Sequence, residues 1–378
     1  MKELVKEKLQ IIEDVWNEFI WDNKFCRNQI NFSPDAESNY FGDILGYFQD
    51  TFDIIYEKKN SAVHAENFAS HISFLQAIYV QQDFIEEMLI LFKTGKVKGD
   101  LKEDPNYALN REIRNELVGH PFRKIGDRVL STTVFGYERS PDTIAYLRYH
   151  SDNDFKCEII KVKIENILER HTAFLEFYFD LIIKNLKLTA GRYRDELEEV
   201  KKKIEEVSFQ SLIKILLQKM KPFLENTTLY DEKSILEIYE KRDQHERYAA
   251  VYDSFLRDLK KRIIQLQEYS TSVFSPAVFS DDHIELPLFD DEGNFIPMPK
   301  NVVVKAAKAN ESCHYELSKL SEKNHRNPMS FEHFSSCIKA KCSDTTVSDE
   351  LDRMNDYLYN DLEYFCSYKL IKRILKQD

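Results

Sequence analysis

Glycine is scarce in this chain, at nine residues in 378. That argues against β-rich folds full of tight turns and against folds built on glycine phosphate loops. A cationic excess is missing too: 53 Lys and Arg against 65 Asp and Glu leave a formal net charge of −12. Proteins that coat duplex DNA through its phosphates are basic, so bulk coating of nucleic acid is disfavoured. A local basic site stays open, because a surface charge reaches only about 8 Å at physiological salt. The cysteines (Cys26, Cys157, Cys313, Cys337, Cys342 and Cys366) include no CxxC pair. Zinc knuckles and thioredoxin-type centres therefore lack their spacing. With no secretory leader pattern, reduced and buried thiols in a cytoplasmic protein are the expectation. The most apolar stretch, Phe174 to Leu186, is interrupted by Glu176, Asp180 and Lys184. It is also shorter than the roughly 20 residues of a membrane span, so no membrane partner is expected. GxSxG, Walker, dinucleotide and HExxH patterns are absent, and GKVKGD has neither the spacing nor the strand-to-helix setting of a phosphate loop.

What is present suits globular burial: 43% hydrophobic residues, 31% charged residues and a length that favours two domains. Leu4, Leu9, Ile12, Val15, Trp16 and Phe19 recur at helical steps and predict one amphipathic helix over the first 25 residues, broken at Asn31–Asp35. Further helices are predicted over about 38–58, 62–93 and 105–118. The period then changes. RVLSTTVFGYE, TIAYLRYH and FKCEIIKV are β-branched and aromatic, and turn-forming RSPD and SDND separate them, which predicts an antiparallel meander near 128–162. Helical periodicity returns over 158–206, with a break expected near Thr189–Gly191. The second half predicts helices over 208–224, 232–270, 311–323, 330–340 and 348–376, with proline-rich loop and short strands over 273–304. The expected organisation is mainly α: a helical domain carrying the meander over 1–206, and a mostly helical domain of unknown role over 207–378.

One segment carries chemistry: Arg111-Glu-Ile-Arg114-Asn115-Glu-Leu-Val-Gly119-His120-Pro121. On an uninterrupted helix His120 lies about 240° round from Arg114, out of reach of a shared target. Gly119 and Pro121 form a helix stop, with the glycine expected in the left-handed conformation. Ending the helix there lets His120 swing toward Arg114, while Asn115 orders either side chain or holds a water. A histidine titrating near neutrality can take or give a proton, and an arginine fork matches two phosphate oxygens. Arg111, Arg123, Lys124 and Arg128 make the neighbourhood locally basic and are candidate substrate-binding residues.

Arg114-Asn115 followed by four residues and His120 resembles the Arg–polar–x–His signature of the HEPN superfamily. The resemblance covers roughly residues 38–206. It implies a HEPN-like helical bundle that pairs as a homodimer, with two motif copies lining one cleft. It further implies a metal-independent endoribonuclease that needs no cofactor, with Arg114, Asn115 and His120 catalytic and RNA as substrate. The setting it implies is phage defence or toxicity, with an antitoxin or other regulatory partner. The meander departs from a plain bundle. Members without activity act as binding modules, so a non-catalytic helical module that binds protein or nucleic acid is the competing reading. The same residues also fit a structural role, with Arg114 in a salt bridge and His120 at a helix end.

Other candidates are weaker. Arg326-Asn327 with His333 repeats the spacing, but Pro328 comes too early for the arginine to end a helix. His64 and His71, with Glu66 nearby, share a helical face that could chelate a metal, although satisfied helix histidines are the simpler reading. Tyr137, Tyr146, Tyr149 and His150 on the meander could stack bases, or pack the sheet against the helices.

Overall fold

The computed structural model describes residues 2–33, 35–57, 63–136, 142–225, 229–275 and 313–375. These residues are mainly helical, with one four-stranded antiparallel sheet, as the periodicity predicts. The chain divides into two compact units, Met1–Glu196 with Gln267–Pro276, and Leu197–Leu266 with Ala277–Asp378.

The first unit opens with α1 (Lys2–Asp14), a π-turn (Val15–Ile20) and α2 (Lys24–Gln29), where one helix was expected. The π-turn buries Val15, Trp16, Phe19 and Ile20 together, a wider stripe than one straight α-helix presents. Pro34, expected as a breaker, lies outside the described residues. Next come α3 (Tyr40–Tyr56) and α4 (His64–Leu91). Asp104 then caps α5 (Pro105–Arg114), accepting from the Asn106 amide at 2.8 Å, while Pro105 fills the first turn, where no backbone donor is needed.

A second π-turn, Asn115–Gly119, leads into β1 (Phe122–Ile125), β2 (Arg128–Phe135), β3 (Thr143–His150) and β4 (Cys157–Lys163), paired in that order. Three strands match the predicted meander. β1 was missed because its four residues, Phe-Arg-Lys-Ile, are too few to show a period. Its signal was the turn after it: Gly126 at φ 61° opens a two-residue hairpin loop.

α6 (Ile164–Glu206) follows at once and runs unbroken through Gly191. An interior glycine costs about 1 kcal/mol. The buried stripe Phe179, Ile182, Leu186, Ala190, Tyr193 and Leu197 continues across that position and outweighs it. Ile55, Phe74, Ile78, Ile113, Leu117, Ile144, Tyr146 and Ile167 form one core, which fixes α5 and its π-turn between α4, α6 and the inner face of the sheet.

The second half contains α7 (Phe209–Lys219), α8 (Lys221–Glu225), α9 (Glu232–Lys241), α10 (Glu246–Ser272), α11 (His314–Ser321), α12 (Pro328–Lys341), α13 (Thr345–Asp356) and α14 (Asp361–Ile374). The stretches predicted as single helices over 208–224, 232–270 and 348–376 are each two. In the last, Asn360 starts a new helix by accepting from the Glu363 amide at 3.2 Å. The strands expected within 273–304 fall almost wholly outside the described residues. Leu317, Phe331, Ile338, Leu351, Met354 and Tyr364 build the core of α11–α14. No helix among the described residues is long and apolar enough to cross a membrane.

Candidate functional site

α4 and α5 lie antiparallel, and their contact is a ladder of polar and aromatic groups. Arg111 pairs with Asp83 at 2.7 Å, and its guanidinium lies 3.7 Å from the centre of the Tyr79 ring. Arg114, one turn on, lies 3.8 Å from the same ring. Its Nε and Nη2 both donate to Gln76 Oε1, at 3.2 and 2.9 Å, and Nη1 donates to Asn115 Oδ1 at 3.2 Å. Three of the five N–H groups of the guanidinium are used in this way, and two remain. Arg114 is therefore half-buried and held in one orientation. Arg111 is committed to Asp83 and Tyr79 rather than standing open for substrate, because an acidic residue on α4 faces it.

The helix does not stop as expected. Gly119 is not left-handed; residues 115–119 form a π-turn, closed by the His120 amide donating to Asn115 O at 2.7 Å. The wider turn changes the rotation between Arg114 and His120, so no glycine reversal is needed. The glycine serves close approach instead. A Cβ at position 119 would lie 2.5 Å from Arg114 Nη1. The guanidinium thus rests against the residue just before His120. His120 itself is exposed, at φ −141° and ψ 64°, and its ring has no hydrogen-bond or ion-pair partner among the described residues. Asn115 orders Arg114, one of the two side chains it was expected to serve.

The other side of the π-turn is locked to the sheet. Glu116 is buried; Tyr146 donates to its Oε2 at 3.0 Å and Arg148 Nη1 lies 3.7 Å from its Oε1. Thr133 Oγ1 donates to the backbone carbonyl of Glu116. Burial, with the Glu116 carboxylate beside it, pushes the Tyr146 hydroxyl above its ordinary range. A cavity of about 290 Å³ opens on this side, where Glu112, Glu116, Tyr146, Arg148 and Arg170 surround an apolar floor. It lies on the face of α5 that carries the two glutamates.

Arg123, Lys124 and Arg128 sit on the β1–β2 hairpin, where Lys124 and Arg128 are exposed and Arg123 is half-buried. The expectation that the meander aromatics stack bases divides. Tyr146 is buried in the core and not open to a base, while His150 is half-buried and its Nδ1 accepts from the Asp152 amide at 3.1 Å. Tyr149 is on the outward face of β3, and Tyr137 lies outside the described residues. Gln76 and Tyr79 were not anticipated. They lie 38 and 35 residues before Arg114, and nothing in the sequence ties them to it.

The second Arg–Asn–His string is structural. Arg326 is buried, ion-paired to Asp361, with the Phe365 ring centre 4.2 Å away, while Asn327 caps α12 by accepting from the Ser330 amide at 3.0 Å. His333 is exposed on that helix. His64 lies beside the Phe68 ring, and among the described residues no group of three or more His, Cys, Asp or Glu side chains is placed to hold a metal ion. No family model, curated protein or solved structure matches the chain.

Proposed function

We propose that the chain is a metal-independent endoribonuclease that cleaves RNA through its own 2′-hydroxyl, working as a homodimer in the cytoplasm. The observation that carries this reading is the π-turn. It sets a clamped guanidinium against the residue next to an exposed imidazole that has no partner among the described residues. His120 takes the proton of the 2′-hydroxyl, and that oxygen bonds to phosphorus. The bond to the 5′-oxygen breaks, and the His120 of a second copy returns a proton to the leaving oxygen. Arg114 meets the charge growing on the phosphate with its two unused N–H groups, and Gln76 and Asn115 keep it aimed. The resemblance of the motif to the HEPN signature agrees with this chemistry. It also suggests a phage-defence or toxin effector held in check by an antitoxin or other regulatory partner.

A second reading has one observation in its favour. Gln76 already takes the Nε–Nη2 edge of Arg114, an edge well suited to bidentate binding of phosphate. On that reading the chain is a non-catalytic helical module that binds a partner protein or nucleic acid. Incubating single-stranded RNA with the wild type beside Arg114→Ala and His120→Ala separates the two. The nuclease reading expects cleavage by the wild type alone. An intact substrate in all three reactions leaves the binding module.

A further inference from the structure

We infer that the outward face of the sheet is a platform for single-stranded RNA, which it delivers to His120. The inference rests on the RNA reading of the motif and names the form of its substrate. The strand register defines the face. Phe122, Thr132, Tyr149 and Cys157 lie in one cross-strand row, and Val134, Leu147 and Ile159 in the next. Apolar side chains stand in solvent here: Phe122 is 55% exposed, Val134 54% and Ile159 70%. Phe122 and Tyr149 are two strands apart, about 10 Å, which separates two stacking surfaces for successive splayed bases. Phe122 is two residues past His120, so at most about 7 Å of backbone joins the platform to the imidazole.

Charge selects the occupant. Lys124 lies over the Phe122 ring, 5.7 Å from its centre, and Lys163 extends from the outward side of β4. No described strand position on this face carries a carboxylate; the one acidic strand residue, Glu158, points inward and binds Arg148. In a chain with a net charge of −12, a face that carries Lys124, Lys163, the exposed Phe122 ring and the half-buried Tyr149 ring, with no acid at a described strand position, is complementary to a polyanion with stacking bases. A second copy fits it poorly. Two such faces docked on each other would set lysine against lysine with no carboxylate at a described strand position between them. Duplex RNA also fits poorly, because its bases are stacked away from the rings.

The test is fluorescence anisotropy with a labelled single-stranded RNA of about 12 nucleotides, a length in the usual range for such sites. His120→Ala protein in EDTA serves as the background, so that cleavage does not intrude. Phe122→Ala and Ile159→Glu should each weaken binding about tenfold, the effect of removing or blocking one stacking surface. Lys124→Glu should weaken binding and flatten its salt dependence. All three positions are exposed, so circular dichroism should be unchanged. A duplex of the same sequence should bind more weakly than the single strand. Equal binding by the variants and the parent overturns the proposal. So does loss of a dimer in Ile159→Glu with RNA binding intact, which would make the face a self-interface. Cleavage by the otherwise wild-type protein is scored separately. Face-dependent RNA binding without cleavage removes the nuclease reading and keeps the platform; cleavage with face-independent binding does the reverse.

Discussion

A single methyl group at position 119 would reveal how far the site depends on the placing of one guanidinium. The added Cβ of Gly119→Ala would fall 2.5 Å from Arg114 Nη1, at the far end of a flexible side chain, so the arginine moves and the backbone stays. Gly119 has no positive φ, so alanine brings no backbone strain. The variant should therefore keep its thermal midpoint and lose about tenfold or more in RNA cleavage, the cost of misaiming one transition-state donor. Unchanged kinetics would mean that the position of Arg114 does not matter to the reaction. Arg326 makes the opposite case. It is buried, stacked between Tyr364 and Phe365, and paired with a half-exposed Asp361. Arg326→Ala should cost about 2 kcal/mol of stability by urea denaturation while leaving cleavage by the remaining folded protein intact. The two arginines share a sequence pattern but not a surrounding, and the surrounding decides the role.

At the level of elements, the long helices and three of the four strands were legible because burial writes its period into the sequence. α3, α6 and the meander each bury one stripe or face. The misses have local causes. Asn360 accepts from the Glu363 amide at 3.2 Å, and such a cap splits a helix without disturbing its hydrophobic period. The π-turns at Val15–Ile20 and Asn115–Gly119 each add a residue that no propensity scale marks. For the candidate site, Arg114, Asn115 and His120 could be read from the chain, and so could a turn near Gly119. The reason for the glycine could not, because close approach of a side chain is a tertiary fact. Nor could the anchors: Gln76 and Tyr79 reach Arg114 only because α4 and α5 lie side by side. Arg111 shows the converse, since a basic residue near a motif looks available until its carboxylate, Asp83, is found on the next helix.

On the scale of the whole molecule, stability and assembly are the testable properties. His171 is fully buried in the first unit, with Nε2 2.7 Å from Gln81 Oε1, and burial pushes its pKa down to about 3. Folded chains thus hold it neutral at pH values where unfolded chains, with an ordinary pKa near 6.5, bind a proton. Stability from this group is complete above pH 6.5 and falls by about 1.4 kcal/mol per pH unit below it, toward pH 3. Urea midpoints measured from pH 7 to 5 should show that slope, and His171→Gln should reduce it; equal slopes would contradict the burial. Assembly bears on the proposed chemistry. Cleavage through the 2′-hydroxyl needs a base at one oxygen and an acid at another, and the motif supplies one imidazole per chain. The carboxylate of Glu116 is held by Tyr146 and Arg148, and among the described residues no group of three or more His, Cys, Asp or Glu side chains is placed to hold a metal ion. Activity should then require two chains. The specific rate should fall on dilution through the dimer dissociation range, in step with loss of the dimer by light scattering. It should be unchanged by EDTA, and the products should end in a 2′,3′-cyclic phosphate and a 5′-hydroxyl. A concentration-independent specific rate from a monomer would rule out the composite site, and activity lost to EDTA and restored by magnesium would rule out the 2′-hydroxyl mechanism while leaving the fold untouched.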